Sequence, residues 1–340
     1  MRSPYPLIPL ASAGAFLTGC ASPQNYVFDT AGPAAASLAH LGWYGLLAFM
    51  AATFVTLCLI GWLAFRRRGT LAEHEPISSG DRGQSWILIG GFAIPFAVLS
   101  FLLVATMDTL NAFPMMDGHE QLPDIVVTGH QWWFQLNYEF AGHPDQNVQT
   151  ATEIHVPVGR PMTLALRSGD VIHSFWVPKL HGKVDVIPGQ TNFIRIEADR
   201  PGTYQGECAE FCGEQHAHMR LLVVAQSPEE YQRWLTRMRD DAAQPTDPAV
   251  RHGQDVFLSQ ACALCHTIRG TLANGTVGPD LTHIGSRLTI AGGEFKNTPG
   301  NLGAWVTSAQ NLKPGALMPN LSTLDGPDLG ALISYLESLK

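Results

Sequence analysis

Two uninterrupted apolar runs, residues 38–65 and 86–107, constrain this chain more than any other feature. Each reaches the roughly 20 residues that an α-helix needs to cross a bilayer, and neither holds an Asp, Glu, Lys or Arg. Arg66, Arg67 and Arg68 follow the first run and Arg82 precedes the second, so the positive-inside rule places the short connection in the cytoplasm. Both chain ends then lie on the outer face, and residues 38–107 read as a two-pass helical hairpin in the lipid bilayer. Trp43, Tyr44, Trp62 and Trp86 stand near the span ends, where aromatic side chains suit either the interfacial belt or packing against a partner's helices. Cys58, mid-span, reads as a small apolar residue.

The hairpin leaves most of the 340 residues to be placed, too many for one compact domain. Residues 108–244 hold ten Lys and Arg against eighteen Asp and Glu, so the middle region supplies the whole net charge of -8. That sign argues against nucleic acid as a partner. It fits either a surface that attracts a basic protein or a solvated acidic face. At the start, Arg2, an apolar run over 7–17 and the sequence Leu17-Thr18-Gly19-Cys20 read as an export signal spanning residues 1–20. Small residues ahead of a cysteine resemble the lipobox of bacterial lipoproteins, which implies a bacterial inner membrane and a mature chain beginning at a lipidated Cys20. An ordinary signal cut near Ala13 or Ala21 is the alternative.

Past Met107 the pattern changes to short alternating stretches at 124–128, 153–156, 162–166 and 192–196, punctuated by Gly and Pro, which are strand signals at sandwich-like spacing. A helical patch at 228–240 closes this domain, expected over 108–240. Residues 241–248 read as a linker, and 249–340 as a Gly-rich, loop-rich domain ending in an amphipathic helix at 329–339. No internal repeat is visible.

The middle domain carries Cys208-Ala-Glu-Phe-Cys212-Gly-Glu-Gln-His216-Ala-His-Met219, with His173 on the earlier segment Asp170-Val-Ile-His-Ser-Phe-Trp-Val-Pro178. Two thiolates, two imidazoles and a thioether form a soft ligand set that selects copper over hard cations, and a compact loop holding both thiolates lets them bridge two metal ions. A lone Cys-x-x-x-Cys suits a disulfide, a zinc half-site or a thiol-redox motif instead. In the last domain, Cys262-Ala-Leu-Cys265-His266 has the spacing for covalent haem c attachment, with His266 as an axial iron ligand. Met318 is the only methionine after Cys265 and the expected second axial ligand; His283 is its rival, and otherwise a solvated loop residue. Thioether ligation raises the haem potential, as a donor to copper needs.

Gly129-His-Gln-Trp132-Trp-Phe134, Asp170-Val-Ile-His173-Ser-Phe and the loop from Cys208 to Met219 together resemble subunit II of cytochrome c oxidase, in the haem-copper terminal oxidase family, over roughly residues 35–235. The resemblance implies a multidomain membrane protein: a transmembrane hairpin, a cupredoxin-like β-sandwich holding a dinuclear copper centre, and, fused behind it, a small all-α class I cytochrome c domain. It implies that Cys208 and Cys212 bridge two copper ions, that His173 and Met219 complete one, and that His216 and the Glu210 carbonyl complete the other. The Glu210 side chain is similar to the family's magnesium ligand at the contact with subunit I. Trp132 matches the family's exposed tryptophan through which electrons from cytochrome c enter, whereas composition alone favours a packing role in a sandwich, and only the Gly-His-Gln-Trp match raises the entry role. His218 falls outside the pattern. The settings of Met318 and of Gly278-Pro279 resemble loops of bacterial cytochromes c. One departure is that Ser85-Trp-Ile-Leu-Ile89 lacks the carboxylate that many members carry at the start of the second span, so Glu73, Glu75 or Asp81 substitutes or proton uptake is organised differently.

The expected function is therefore an electron relay from reduced cytochrome c through haem c and copper to oxidase subunit I, beside subunit III, with oxygen reduction and proton pumping on the partner. A quinol oxidase subunit would lack the copper loop, and a nitrous-oxide reductase would need a large His-rich domain for which no room exists. A non-enzymatic copper-delivery or thiol-redox lipoprotein would leave Met219, the hairpin and the haem domain without a role.

Overall fold

The computed structural model describes residues 25–66, 82–111, 113, 122–140 and 142–340. The expected export signal with Cys20, together with Arg67, Arg68, Glu73, Glu75 and Asp81, lies outside the described residues.

Helix α1, Pro33–Phe65, runs 33 residues, starting five before the expected span. Pro33 suits the first turn because its missing N–H would be unpaired there anyway, and the alanines behind it are strong helix formers that extend the helix outward. At 1.5 Å per residue this is about 50 Å, beyond a hydrocarbon core of about 30 Å. Its first turns stand on the outer domain, with Ala34, Ala35 and Ala39 buried. The chain ahead of α1 is strapped to that domain. Ala31 donates to the Lys179 carbonyl and accepts from the Asp199 N–H, both at 2.8 Å, and Asp29 pairs with Lys179 and Arg200. The second span comprises α2 (Arg82–Leu88), a π-turn (Ile89–Ala93) and α3 (Ile94–Leu110). Pro95 has no N–H for the carbonyl four residues back, and Gly90-Gly91 lets the turn widen there. Both spans expose apolar side chains all round, as lipid-facing helices do.

The outer sandwich packs two five-stranded sheets. One orders β3 (Val148–Ala151), β2 (Trp133–Tyr138), β1 (Ile125–His130), β5 (Met162–Ser168) and β8 (Asn192–Ile196). The other orders β4 (Glu153–Pro157), β10 (Arg220–Gln226), β9 (Gly202–Cys208), β6 (His173–Trp176) and β7 (Val184–Val186). Alternation in β2 and β10 sends Phe134, Leu136, Leu221 and Val223 into a core closed by Phe175. Helix α4, Pro228–Arg239, has a full capping box from Ser227 and Glu230 and lays Trp234 flat on His155.

The C-terminal domain is helical, with α5 (Pro248–Ser259), the short α6 (Cys262–Cys265), α7 (Pro299–Leu312) and α8 (Gly326–Ser338). Helices α5 and α8 cross so closely at Gly253 that a Cβ there would meet the Ala331 carbonyl at 2.0 Å. The expected linker ends one residue early, at Asp247 before α5, and is pinned: Ala242 donates to the Arg269 carbonyl, and the Arg269 guanidinium donates back to the carbonyls of Met238 and Asp240.

Candidate functional site

The loop from Cys208 to Met219 connects β9 and β10, and the pairing of Arg220 with Glu207 closes its base. The Cys208 N–H donates to the Met219 carbonyl at 2.9 Å. Strand β6 pairs with β9, Phe175 opposite Cys208, which brings His173 from far upstream to the same place. The two Sγ atoms are 3.6 Å apart; Cys212 Sγ lies 3.7 Å from His216 Nδ1 and 3.9 Å from Met219 Sδ, and Cys208 Sγ is 3.2 Å from the Glu210 carbonyl oxygen. Ligand atoms of His173, Cys208 and Cys212 all fall within 4.8 Å of one another. His173 Nε2 is held by Asp170 Oδ1 at 2.7 Å, while its buried Nδ1 has no hydrogen-bond partner. A carboxylate on one ring nitrogen fixes the imidazole and leaves the other free to ligate. Gly129 is needed because a Cβ there would lie 2.8 Å from the His173 ring. The thiols titrate apart: the hydrogen bond between them holds Cys208 far below the usual thiol range, and the same bond, with burial, raises Cys212. The Glu210 carboxylate is half-exposed, 4.0 Å from Lys183 Nζ.

The second site is a cavity of about 220 Å³ whose wall includes Cys262, Cys265, His266 and Met318 among apolar side chains such as Phe257 and Leu302. His266 Nδ1 is bonded to the Pro279 carbonyl at 2.8 Å, and Gly278 sits flush with the ring, where a Cβ would come within 2.5 Å. Burial lowers the His266 pKa and so favours the neutral ring that ligates metal. His283 is neither in this wall nor solvated: it is buried, with Nε2 3.1 Å from the carbonyl of Asp240 at the end of α4. Arg287 Nε and Thr289 Oγ1 are buried without partners, and both residues line the cavity.

Trp132 departs from expectation. It is 8 % exposed, because the C-terminal domain covers it, and it lines the cavity. Its indole N–H donates to the Cys212 carbonyl at 3.0 Å, beside a 2.8 Å bond from Gln131 Nε2 to the same oxygen. Lys313 Nζ donates across the seam to the Trp132 and His218 carbonyls, and burial pushes its pKa down to about 8. His218 faces Glu294 of the C-terminal domain at 3.1 Å. Sequence reasoning missed Asp170 as a partner of His173, and Arg287, Thr289 and Lys313 as wall residues. Asp170 opens the quoted segment that carries His173 but is not itself of a ligand type in that set, and Arg287, Thr289 and Lys313 lie in no motif that spacing could flag.

Residues 124–226 match the family described as cytochrome c oxidase subunit II, periplasmic domain, and residues 250–340 match the family described as cytochrome c. Cytochrome c oxidase subunit 2 of Alkalihalophilus pseudofirmus is 34 % identical over 339 residues, covering 98 % of this chain and 96 % of that relative. The protein of the same name from Bacillus subtilis is 25 % identical, covering 97 % of this chain and 96 % of its own length. The crystal structure of the periplasmic domain of cytochrome oxidase subunit II from Bradyrhizobium japonicum is 26 % identical, covers 35 % of this chain and 96 % of that one, and has a TM-score of 0.32. With near-complete coverage at that identity, two candidate spans, a sandwich carrying the thiol pair and a helical domain carrying Cys-x-x-Cys-His, the chain belongs to the cytochrome c oxidase subunit II family and carries a C-terminal cytochrome c domain.

Proposed function

We propose that this chain is the subunit through which electrons enter a respiratory cytochrome c oxidase, taking them from reduced cytochrome c by way of its own haem c and a dinuclear copper centre to catalytic subunit I, which reduces oxygen to water and pumps protons. One observation carries the reading: Trp132 lines the cavity that holds Cys262, Cys265 and His266, and its N–H bonds the carbonyl of Cys212. The two sites therefore share a wall.

The residues fit both groups. Cys208 and Cys212 would bridge two coppers, His173 through its unpartnered Nδ1 and Met219 would complete one, and His216 with the Glu210 carbonyl the other. Cys262 and Cys265 would bind haem covalently, His266 and Met318 would ligate its iron, and the unpaired Arg287 Nε and Thr289 Oγ1 suit its carboxylates. When bound, these groups supply one-electron redox chemistry. The chain's own contribution is to hold the ligands in fixed geometry, to exclude water with the apolar wall, and to make transfer intramolecular. Trp132 serves here as an internal bridge rather than a docking surface. The half-exposed Glu210 carboxylate is offered to magnesium at the contact with subunit I. The chain is placed in a bacterial inner membrane, with subunit III as a further neighbour and a lipid anchor at Cys20.

The test is metal and haem analysis of the purified complex with paramagnetic resonance. We expect about two coppers sharing one unpaired electron and one haem that survives acid extraction from this chain. A single labile copper ion would return the chain to the copper-delivery class.

A further inference from the structure

Lys313 is 2 % exposed, and its ammonium donates to the carbonyls of Trp132, His218 and Ala291, each at 2.9 Å. Three acceptors use all three N–H donors of an ammonium. They come from different places: the turn between β1 and β2, the copper loop itself, and the haem domain. Lys313 also lines the haem cavity and stands in the loop that leads to Met318. One cation thus touches the backbone on both sides of the seam.

The surroundings are shaped to let it reach. Gly292, at φ +71°, lies where a Cβ would meet the Trp132 carbonyl at 2.3 Å and Lys313 Nζ at 2.7 Å, and a Cβ on Gly315 would press on the Trp132 ring at 3.1 Å. Around this centre the seam has a polar rim: Arg220 N–H to the Gly292 carbonyl, Leu288 N–H to Glu153 Oε2, and Glu294 facing His218 and Arg220. Partly exposed ion pairs hold little by themselves, whereas a buried polar contact with all its donors used selects one register over its alternatives.

We infer that Lys313 is a positioning residue for transfer between the two redox sites: it seats the haem domain on Trp132 and so closes that face of the copper domain to outside donors. The inference rests on the relay proposed above. Its consequence is that the haem domain is the sole port for an external donor, and that loss of the clasp slows internal transfer without changing either metal site.

The test uses Lys313→Met in the full chain, assembled in its complex. Covalent haem attachment and the copper resonance signature should be retained, while haem-to-copper equilibration after rapid mixing slows on the order of tenfold or more. The amides of Arg220 and Leu288 should exchange faster, in the copper-free chain as well. Gly292→Val keeps the lysine but puts a side chain on the Trp132 carbonyl, and should give the same two changes. Retained protection of both amides in Lys313→Met, or unslowed transfer in Gly292→Val, which keeps the charge, overturns the inference. Should Lys313→Met fail to assemble, the same readouts on Gly292→Val decide it. If the wild-type complex lacks the copper pair, the relay reading fails, while amide protection still reports on the clasp.

Discussion

The copper loop and the haem cavity lie on either side of one seam, yet they are built in opposite ways. The copper-site sulfurs already stand 3.6 to 3.9 Å apart, on a sandwich whose core, with Phe134, Phe175 and Leu221 fully buried, is complete beneath them. The haem domain's buried residues instead surround a cavity of about 220 Å³, with Phe257, Leu302, Val306, Leu332 and Leu336 in its wall. Apolar walls without contents lose both burial and dispersion contacts. The difference teaches that, on the relay reading, the sandwich would organise its metal, whereas the haem would organise its domain.

The sharpest way to break this comparison is to prevent haem attachment. Cys262→Ser combined with Cys265→Ser should remove most of the stability of residues 249–340, seen as rapid proteolysis of that region in the full chain, while the sandwich still binds copper. Survival of a protease-resistant C-terminal domain would show that its core stands without the haem.

A smaller effect, up to about 3 kcal/mol, concerns the seam. Lys313 has a folded pKa near 8 against 10.5 for a free lysine, so between those values the folded chain has released a proton that the unfolded chain keeps. Stability therefore rises with pH through that window and is flat below it. Thermal unfolding of the wild type minus that of Lys313→Met, followed from pH 7 to pH 10.5, isolates this rise. A flat difference would mean that the ammonium is solvated and the seam open.

Cys212→Ser should cost the sandwich about 1 kcal/mol, because it exchanges one buried sulfur at the edge of the core for a smaller hydroxyl, yet abolish the shared-electron copper signal, since a hydroxyl is too hard to replace a bridging thiolate. Retention of an electron shared equally by two coppers would falsify the bridging assignment. Met318→His should change stability least of all. The haem stays attached through Cys262 and Cys265, but its potential falls on loss of the thioether, which a redox titration measures. An unchanged potential would mean that Met318 is not an axial ligand.

Much of this was legible along the chain. The spans, the strands at 124–128 and 192–196, the helix at 228–240 and both cysteine motifs are local patterns whose chemistry depends on residues near one another in sequence. The end of the linker and the helix starts were less so: Pro33 and Gly326 open their helices ahead of the apolar periodicity, where capping rather than burial decides the boundary.

What the sequence determined by itself was the inventory: two bilayer-length apolar runs, a soft ligand set in one loop and a Cys-x-x-Cys-His motif, because hydropathy and ligand chemistry are properties of residue types. Only the tertiary structure decided which surfaces are free. Trp132 matched an exposed residue and is buried; His283 looked solvated and is bonded to the end of α4; Lys313, an ordinary surface residue by type, sits in the seam. Each reversal has the same physical reason. Burial at a seam is set by which two domains meet and in what register, and that follows from the packing of residues far apart in the chain.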